Sequence, residues 1–282
     1  MKTPRQRIKS LPPVRLFLQW KQRRQRFRFA YSYYETPLAS LRLWLKRSRE
    51  TTNFTYDLQD DNKKYLASLL AVVLETDVGT ILGYFAEIEG DQDLRAHVAR
   101  VTEASPHRAV ADLEGHFGRR IGWYALARAL KPGVIVETGV EKGLGSCVLA
   151  RALKANAGEG HPGVYYGTDI DPAAGFLFTE PYTRYGKILY GDSIASLQSL
   201  TEPVGLFIND SDHSADYEAR EYETIRPKLT ENAFVLGDNA HATDKLFQFA
   251  QKTGRRFVFF SERPKDHWYP GAGIGIAFPE RS

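Results

Sequence analysis

The feature that most constrains this chain is a rhythm that begins at residue 133. Short β-prone runs end in acidic or glycine turns and pass into helix-forming stretches, five times over. The strand candidates are VIVET (134–138), VYYGTD (164–169), KILYGD (187–192), VGLFIND (204–210) and AFVLGD (233–238). Between them lie SCVLARALKA, a helical segment after Pro172, SIASLQSL and ADYEAREYETIRPKL. Alternation of this kind calls for a parallel sheet with helices on both faces. The helix ATDKLFQFAQKTG then leads to RRFVFFSE and GIGIAF, which are joined only by the short RPKDHWYP. A return that short makes an antiparallel hairpin at the sheet edge. The expected fold is α/β: a doubly wound sheet of seven strands, five parallel βα units ending in an antiparallel hairpin.

Upstream of this rhythm the chain changes character twice. Residues 51–131 read as a helical region, with Asp60 or Asp61 as an N-cap before the apolar stripe of KKYLASLLAVVLE. DVGTILGYFAEIE, DQDLRAHVARVTEA and DLEGHFGRRIGWYALARAL continue it, and Pro132-Gly133 stops the last helix. Residues 1–50 form a basic arm, with 14 Lys/Arg against Glu35 and Glu50, whereas the other 232 residues hold 24 Lys/Arg against 32 Asp/Glu. The net charge of +4 therefore conceals a cationic arm on a mildly acidic body. Three parts follow: the arm at 1–50, the helical region at 51–131 and the α/β domain at 132–282.

The turn after the first strand, VIVETGVEKGLGS, carries Gly139, Gly143 and Gly145. Glycines there let backbone approach a ligand and set a helix N-terminus beside it. The spacing is G-x-x-x-G-x-G, which is not the G-x-G-x-x-G of a dinucleotide site. Asp169 ends the second strand, and Asp192 with Ser193 ends the third. Each acid is a cofactor contact or an ordinary helix N-cap.

The fourth strand runs into NDSDHSADYE, giving Asp210, Asp212 and His213, and the fifth into GDNAHATD, giving Asp238, Asn239 and His241. Adjacent strands lie about 4.8 Å apart, so Asp210, Asp238 and Asn239 are placed to converge above the sheet. Two carboxylates and an amide oxygen make a hard, incomplete ligand set that suits Mg²⁺ or another divalent cation. The alternative is that these acids cap helices.

Taken together, these residues resemble the class I S-adenosylmethionine-dependent methyltransferases, over roughly residues 115–282. The glycine turn is similar to their first motif, and the five βα units and terminal hairpin to their Rossmann-like fold. The resemblance implies S-adenosylmethionine as cofactor, with Glu137, Gly139, Gly143, Ser146, Asp169, Asp192 and Ser193 around it. Glu137 would be structural or a partner near the methionine amine, Asp169 would take the ribose hydroxyls, and Asp192 and Ser193 would lie at the adenine.

Residues 206–239 further resemble the metal-dependent O-methyltransferases of the catechol and caffeoyl-coenzyme A kind and those acting on macrolide sugars. That likeness implies Asp210, Asp238 and Asn239 as metal ligands. A metal-bound hydroxyl would lose its proton to His213, the nearer of two candidate bases, the other being His241. Catechol enzymes place a lysine where this chain has His213, so the implied acceptor is a hydroxyl of a sugar or glycan-related small molecule. A catechol-type acceptor and a non-catalytic scaffold are the alternatives. Trp268 and Tyr269 offer either a wall for the acceptor pocket or edge-strand packing.

Partners and location are read from charge and composition. Arginines interleaved with Leu, Phe and Trp in VRLFLQWKQRRQRFRF suit an anionic membrane surface, a partner helix or a second copy of the chain. Nucleic acid is the least favoured partner. The single cysteine, Cys147, suits a reducing cytoplasm, and the longest apolar run, YLASLLAVVL, is too short to span a bilayer. The expected location is cytoplasmic, peripheral at the membrane. Asn53-Phe54-Thr55 matches a glycosylation acceptor and is set aside, because nothing else points to secretion.

Overall fold

A computed structural model of the chain describes residues 12–51 and 55–280, so the first 11 residues of the arm and Asn53-Phe54 lie outside the described residues. The chain divides into two compact units, one of residues 1–47 with 266–269, the other of 48–265 with 270–282.

The smaller unit is one long helix, α1 (Pro12–Arg47), with the short segment 266–269. None of the helix's described residues is buried. Phe17, Trp20, Phe27 and Tyr31 stand in solvent and stack along the helix, Phe17 on Trp20 at 6.1 Å and Phe27 on Tyr31 at 5.5 Å between ring centroids. Trp268, expected as a wall of the acceptor pocket or as edge-strand packing, meets the Trp44 ring of this helix edge-on at 5.6 Å, and Tyr269 in turn meets Trp268.

In the larger unit four helices precede the sheet: α2 (Asp60–Leu74), α3 (Val78–Glu89), α4 (Gln92–Ala104) and α5 (Arg120–Leu130). Asp77 caps α3 through the Thr80 N–H and Asp91 caps α4 through the Leu94 N–H. The cap of α2 is Gln59, not Asp60 or Asp61, which already lie in the first turn. Nearly all of α5 is buried. That helix is shorter than the sequence suggests, because Gly118 adopts a left-handed φ of +52° immediately before it. A Cβ at Gly118 would stand 2.9 Å from the Tyr56 carbonyl oxygen, so only glycine permits this turn. Arg119 is thereby thrown off the helix as its N-cap residue.

The sheet comprises β1 (Val134–Thr138), β2 (Val164–Asp169), β3 (Gly186–Tyr190), β4 (Val204–Asn209), β5 (Leu229–Gly237), β6 (Arg256–Ser261) and β7 (Gly273–Phe278). Their order is β3-β2-β1-β4-β5-β7-β6, with the first five parallel and β7 antiparallel to both neighbours. This is the expected seven-stranded α/β sheet with its terminal hairpin. Strands buried on both faces, such as VIVET and GLFIN, explain the continuous apolar runs. Helices α6 (Leu144–Gly158), α7 (Ser193–Ser199), α8 (Ala215–Ile225) and α9 (Lys245–Lys252) make the remaining crossovers.

One crossover departs from expectation. The segment after Pro172 forms turns and a single 3₁₀ turn, Tyr182–Tyr185, in place of an α-helix. Gly175 takes a φ of +76°, and its N–H donates to the Glu141 carbonyl at 2.6 Å while Leu177 N–H donates to Lys142 at 3.0 Å. Those two donors go to the glycine turn after β1, and the N–H groups of Ala174, Phe178, Thr179 and Tyr182 make only short turn bonds within the segment.

No described helix is long and apolar enough to cross a membrane.

Candidate active site

The strand order reverses between β1 and β4, the position at which doubly wound sheets bind ligands. A cleft of about 810 Å³ opens there over the carboxyl ends of β1 to β4. Register brings those ends level: Thr138 pairs with Thr168 on one side and Asn209 on the other, and Asn209 pairs with Gly237. The Asp210 N–H continues the ladder onto Thr138 O at 2.9 Å, and the Asp238 N–H onto Asn209 O at 2.9 Å. Each acid therefore sits one step past its strand, held by backbone.

Gly139, Asp169, Asp192, Ser193, Asp210 and His213 all line this cleft. Gly139 has a φ of +79°, and a Cβ there would collide with the Asp210 carbonyl oxygen, so this position tolerates no side chain. Gly143, at a φ of +88°, is the N-cap of α6. Asp169 organises the turn: its Oδ2 accepts the N–H of Val140 at 3.1 Å and of Glu141 at 3.0 Å, and its Oδ1 that of Asp171 at 2.9 Å. A carboxylate has about four lone-pair sites, so capacity remains for a diol. Asp192 caps α7 through the Ala195 N–H at 3.0 Å, so the cap reading and the cleft position both hold for it.

Two expected cofactor contacts fall beneath the cleft. Ser146 is fully buried in α6, its hydroxyl 2.7 Å from the Tyr165 hydroxyl and 3.4 Å from Glu137. Glu137 is buried as well and accepts the Tyr165 hydroxyl hydrogen. Burial raises its carboxyl to about 7, against the opposing pull of the Tyr165 hydrogen bond and the Arg120 charge. Both side chains turn inward because their strand and helix positions face the sheet core, which a glycine motif alone does not specify.

The expected metal ligands meet a different cation. Arg119 donates from Nε and Nη2 to the two carboxylate oxygens of Asp238, a bidentate pair in which the residues are 4% and 0% exposed. Its Nη1 donates to the Tyr56 hydroxyl at 3.2 Å, and that hydroxyl donates to Glu262 at 2.6 Å. Asp210 Oδ2 lies 4.0 Å from Nη2 and Glu262 Oε1 4.0 Å from Nε. Asn239 turns its amide to the His213 ring, Nδ2 to Nε2 at 2.9 Å. Asp238 is thus committed to Arg119, and with that cation in place the set does not fit the Mg²⁺ that the resemblance implied. Among the described residues no group of three His, Cys, Asp or Glu is disposed to hold a metal.

Burial and the adjacent Asp238 charge push the Asp210 carboxyl well above the usual carboxylate range, while Arg119 keeps Asp238 below it. His213 stands 3.9 Å from Asp210 through Nε2, with its side chain 41% exposed on the cleft rim. Among the described residues lining the cleft His213 is present and His241 is not.

Several site residues were not read from the sequence. Arg119 and Arg120 both line the cleft. The available signal was a pair of cations opening a helix, the end where the dipole disfavours them. Glu221, on α8, accepts from Ser193, Ser211, Asn209 and Thr138, tying together the ends of β1 and β4 and the start of α7. In sequence it is one acid among several on an amphipathic helix. Lys142, on the cleft, is paired with the buried Glu50.

Comparison with known proteins agrees with this architecture. Residues 136–240 match a family model described as a methyltransferase domain. The O-methyltransferase TomG of Streptomyces achromogenes, involved in tomaymycin synthesis and solved with S-adenosylmethionine, superposes with a TM-score of 0.51 at 16% identity, covering 66% of this chain and 90% of that one. Cofactor-bound Rv0187 from MTB gives a TM-score of 0.51 at 16% identity, covering 70% and 94%. No curated protein matches the sequence. Residues 136–240 thus match a methyltransferase domain, and the seven-stranded sheet has the fold of these solved methyltransferase structures.

Proposed function

We propose that the protein transfers a methyl group from S-adenosylmethionine to a hydroxyl of a small molecule, of the sugar or glycan-related kind. The observation that carries this reading is that Asp169, Asp192, Asp210 and His213 line one cleft at the switch point of the sheet. Its volume, about 810 Å³, is in the range of small-molecule and cofactor sites. Bound S-adenosylmethionine supplies an activated methyl on a sulfonium. The chain's part is to hold the nucleoside through Asp169 and Asp192 and to bring the acceptor oxygen in line with that methyl. As the oxygen–carbon bond forms, the carbon–sulfur pair returns to sulfur. The hydroxyl proton goes to His213 Nε2 once that nitrogen releases the Asn239 N–H it accepts at 2.9 Å, with Asp210 facing it at 3.9 Å. A histidine at this place, where catechol enzymes have lysine, supports a saccharide-type hydroxyl over a catechol.

The test is a calorimetric titration with S-adenosylhomocysteine, repeated on Asp169→Ala. Binding to the wild type that weakens roughly 10- to 100-fold in the variant supports the reading, as expected for a lost hydrogen bond to a charged group. A folded wild type that binds none overturns it in favour of a scaffold protein.

A second reading concerns α1. We propose that this helix rests on an anionic lipid surface, with the chain cytoplasmic and peripheral at the membrane. Its exposed Phe17, Trp20, Phe27, Tyr31 and Tyr34, set among Arg23, Arg24, Arg26 and Arg28 with Glu35 the one acid in the helix, support it. Co-sedimentation with phosphatidylserine vesicles at low salt, lost at high salt, is the expected result. A salt-resistant dimer that ignores the vesicles would instead assign the helix to a second copy of the chain.

A further inference from the structure

The acids at the ends of β4 and β5 are placed as a cation-binding pair, and in this chain a cation is already there. Arg119 is positioned for that place by its own backbone. Gly118 in the left-handed region ends the loop, and the guanidinium leaves α5 at its N-cap toward the strand ends. Every donor edge is directed at a built acceptor: Nε and Nη2 at Asp238, Nη1 at Tyr56, with Glu262 and Asp210 each 4.0 Å away. Asp238 and Glu262 are 0% and 1% exposed, so their charges have no water to lean on. A planar fork matching a carboxylate is the strongest pairing an arginine makes.

We propose that Arg119 takes the place of a divalent cation in this site, so that the strand-end acids hold a built-in guanidinium and the protein works without a metal. A divalent ion brought to Asp238 would face a fixed positive charge already bonded to both carboxylate oxygens. Because Arg119 itself lines the cleft, its charge is the positive end of the acceptor side, facing Asp210. It is a positioning residue: it faces Asp210, which in turn faces His213. The consequence for turnover rests on the methyl-transfer reading, whereas the claim about the ion does not.

The test is Mn²⁺ binding to the full chain without donor or acceptor, read as loss of the free-ion electron paramagnetic resonance signal. Wild type and Asp238→Asn are expected to give the same curve, with no site that depends on Asp238. A folded Arg119→Met is expected to acquire one Mn²⁺ that the double variant Arg119→Met/Asp238→Asn loses. One Mn²⁺ bound by wild type and lost in Asp238→Asn would overturn the proposal, as would a folded Arg119→Met that gains no site. If Arg119→Met does not fold, the comparison of wild type with Asp238→Asn decides alone. Failure of S-adenosylhomocysteine to bind would remove the methyltransferase reading and leave this result intact.

Discussion

Tyr165 on β2 donates its hydroxyl proton to the carboxylate of Glu137 on β1, where neither side chain has more than 1% of its surface exposed. The pair lies under the glycine turn: Ser146 of α6 joins it from above, and a Cβ on Gly145 would strike Glu137. A carboxyl whose burial raises it to about 7 from 4.5 is carried by the fold at a cost that depends on pH.

Folding holds the Glu137 proton more tightly than the unfolded chain does. Its contribution is fully favourable below about 4.5 and is lost as pH rises through about 7. Two and a half pH units correspond to roughly 3 kcal/mol. Urea denaturation should therefore show the wild type losing stability relative to Glu137→Gln between those limits. The difference should flatten above about 7. Parallel curves for the two proteins would place the proton elsewhere.

The Arg119–Asp238 pair predicts an asymmetric stability result. Asp238→Ala leaves a buried guanidinium without its main partner and is expected to cost about 3–5 kcal/mol in urea unfolding. Arg119→Met/Asp238→Leu, which removes both charges, should recover most of that loss. A double variant as unstable as the single one would mean that packing, and not the unpaired charge, is responsible.

His213→Ala should lower kcat by about 10²- to 10⁴-fold with any acceptor that turns over. S-adenosylhomocysteine affinity should stay at the wild-type level, because the ring stands on the rim at 41% exposure and faces Asp210 and Asn239. An equal loss of donor affinity would move His213 from proton acceptor to cofactor contact.

Gly139→Ala should destabilise the fold by about 1–3 kcal/mol and weaken donor binding as well. The residue has a φ of +79°, and the added carbon would meet the Asp210 backbone, displacing β4's end from β1's. Gly133→Ala, where nothing stands within 4 Å of the new carbon, is the control.

What the sequence by itself determined here is periodic or local. Apolar runs broken by turn residues specify buried parallel strands, so β1, β2 and β4 and the seven-strand count were legible, as was the hairpin from its short connection. That Gly139, Asp169, Asp192 and Asp210 lie at the cleft was legible too, because a strand's carboxyl end is a fixed place in such a sheet. Tertiary structure alone decided what lies across the chain from those ends. Arg119 reaches Asp238 over 119 residues, and no period or spacing encodes that encounter. The same holds for Gly175, whose bond to Glu141 replaces the expected helix, and for Ser146, which a buried tyrosine draws away from the cleft. The sequence places charges at strand ends, but which counter-charge satisfies them depends on which distant group is buried beside them.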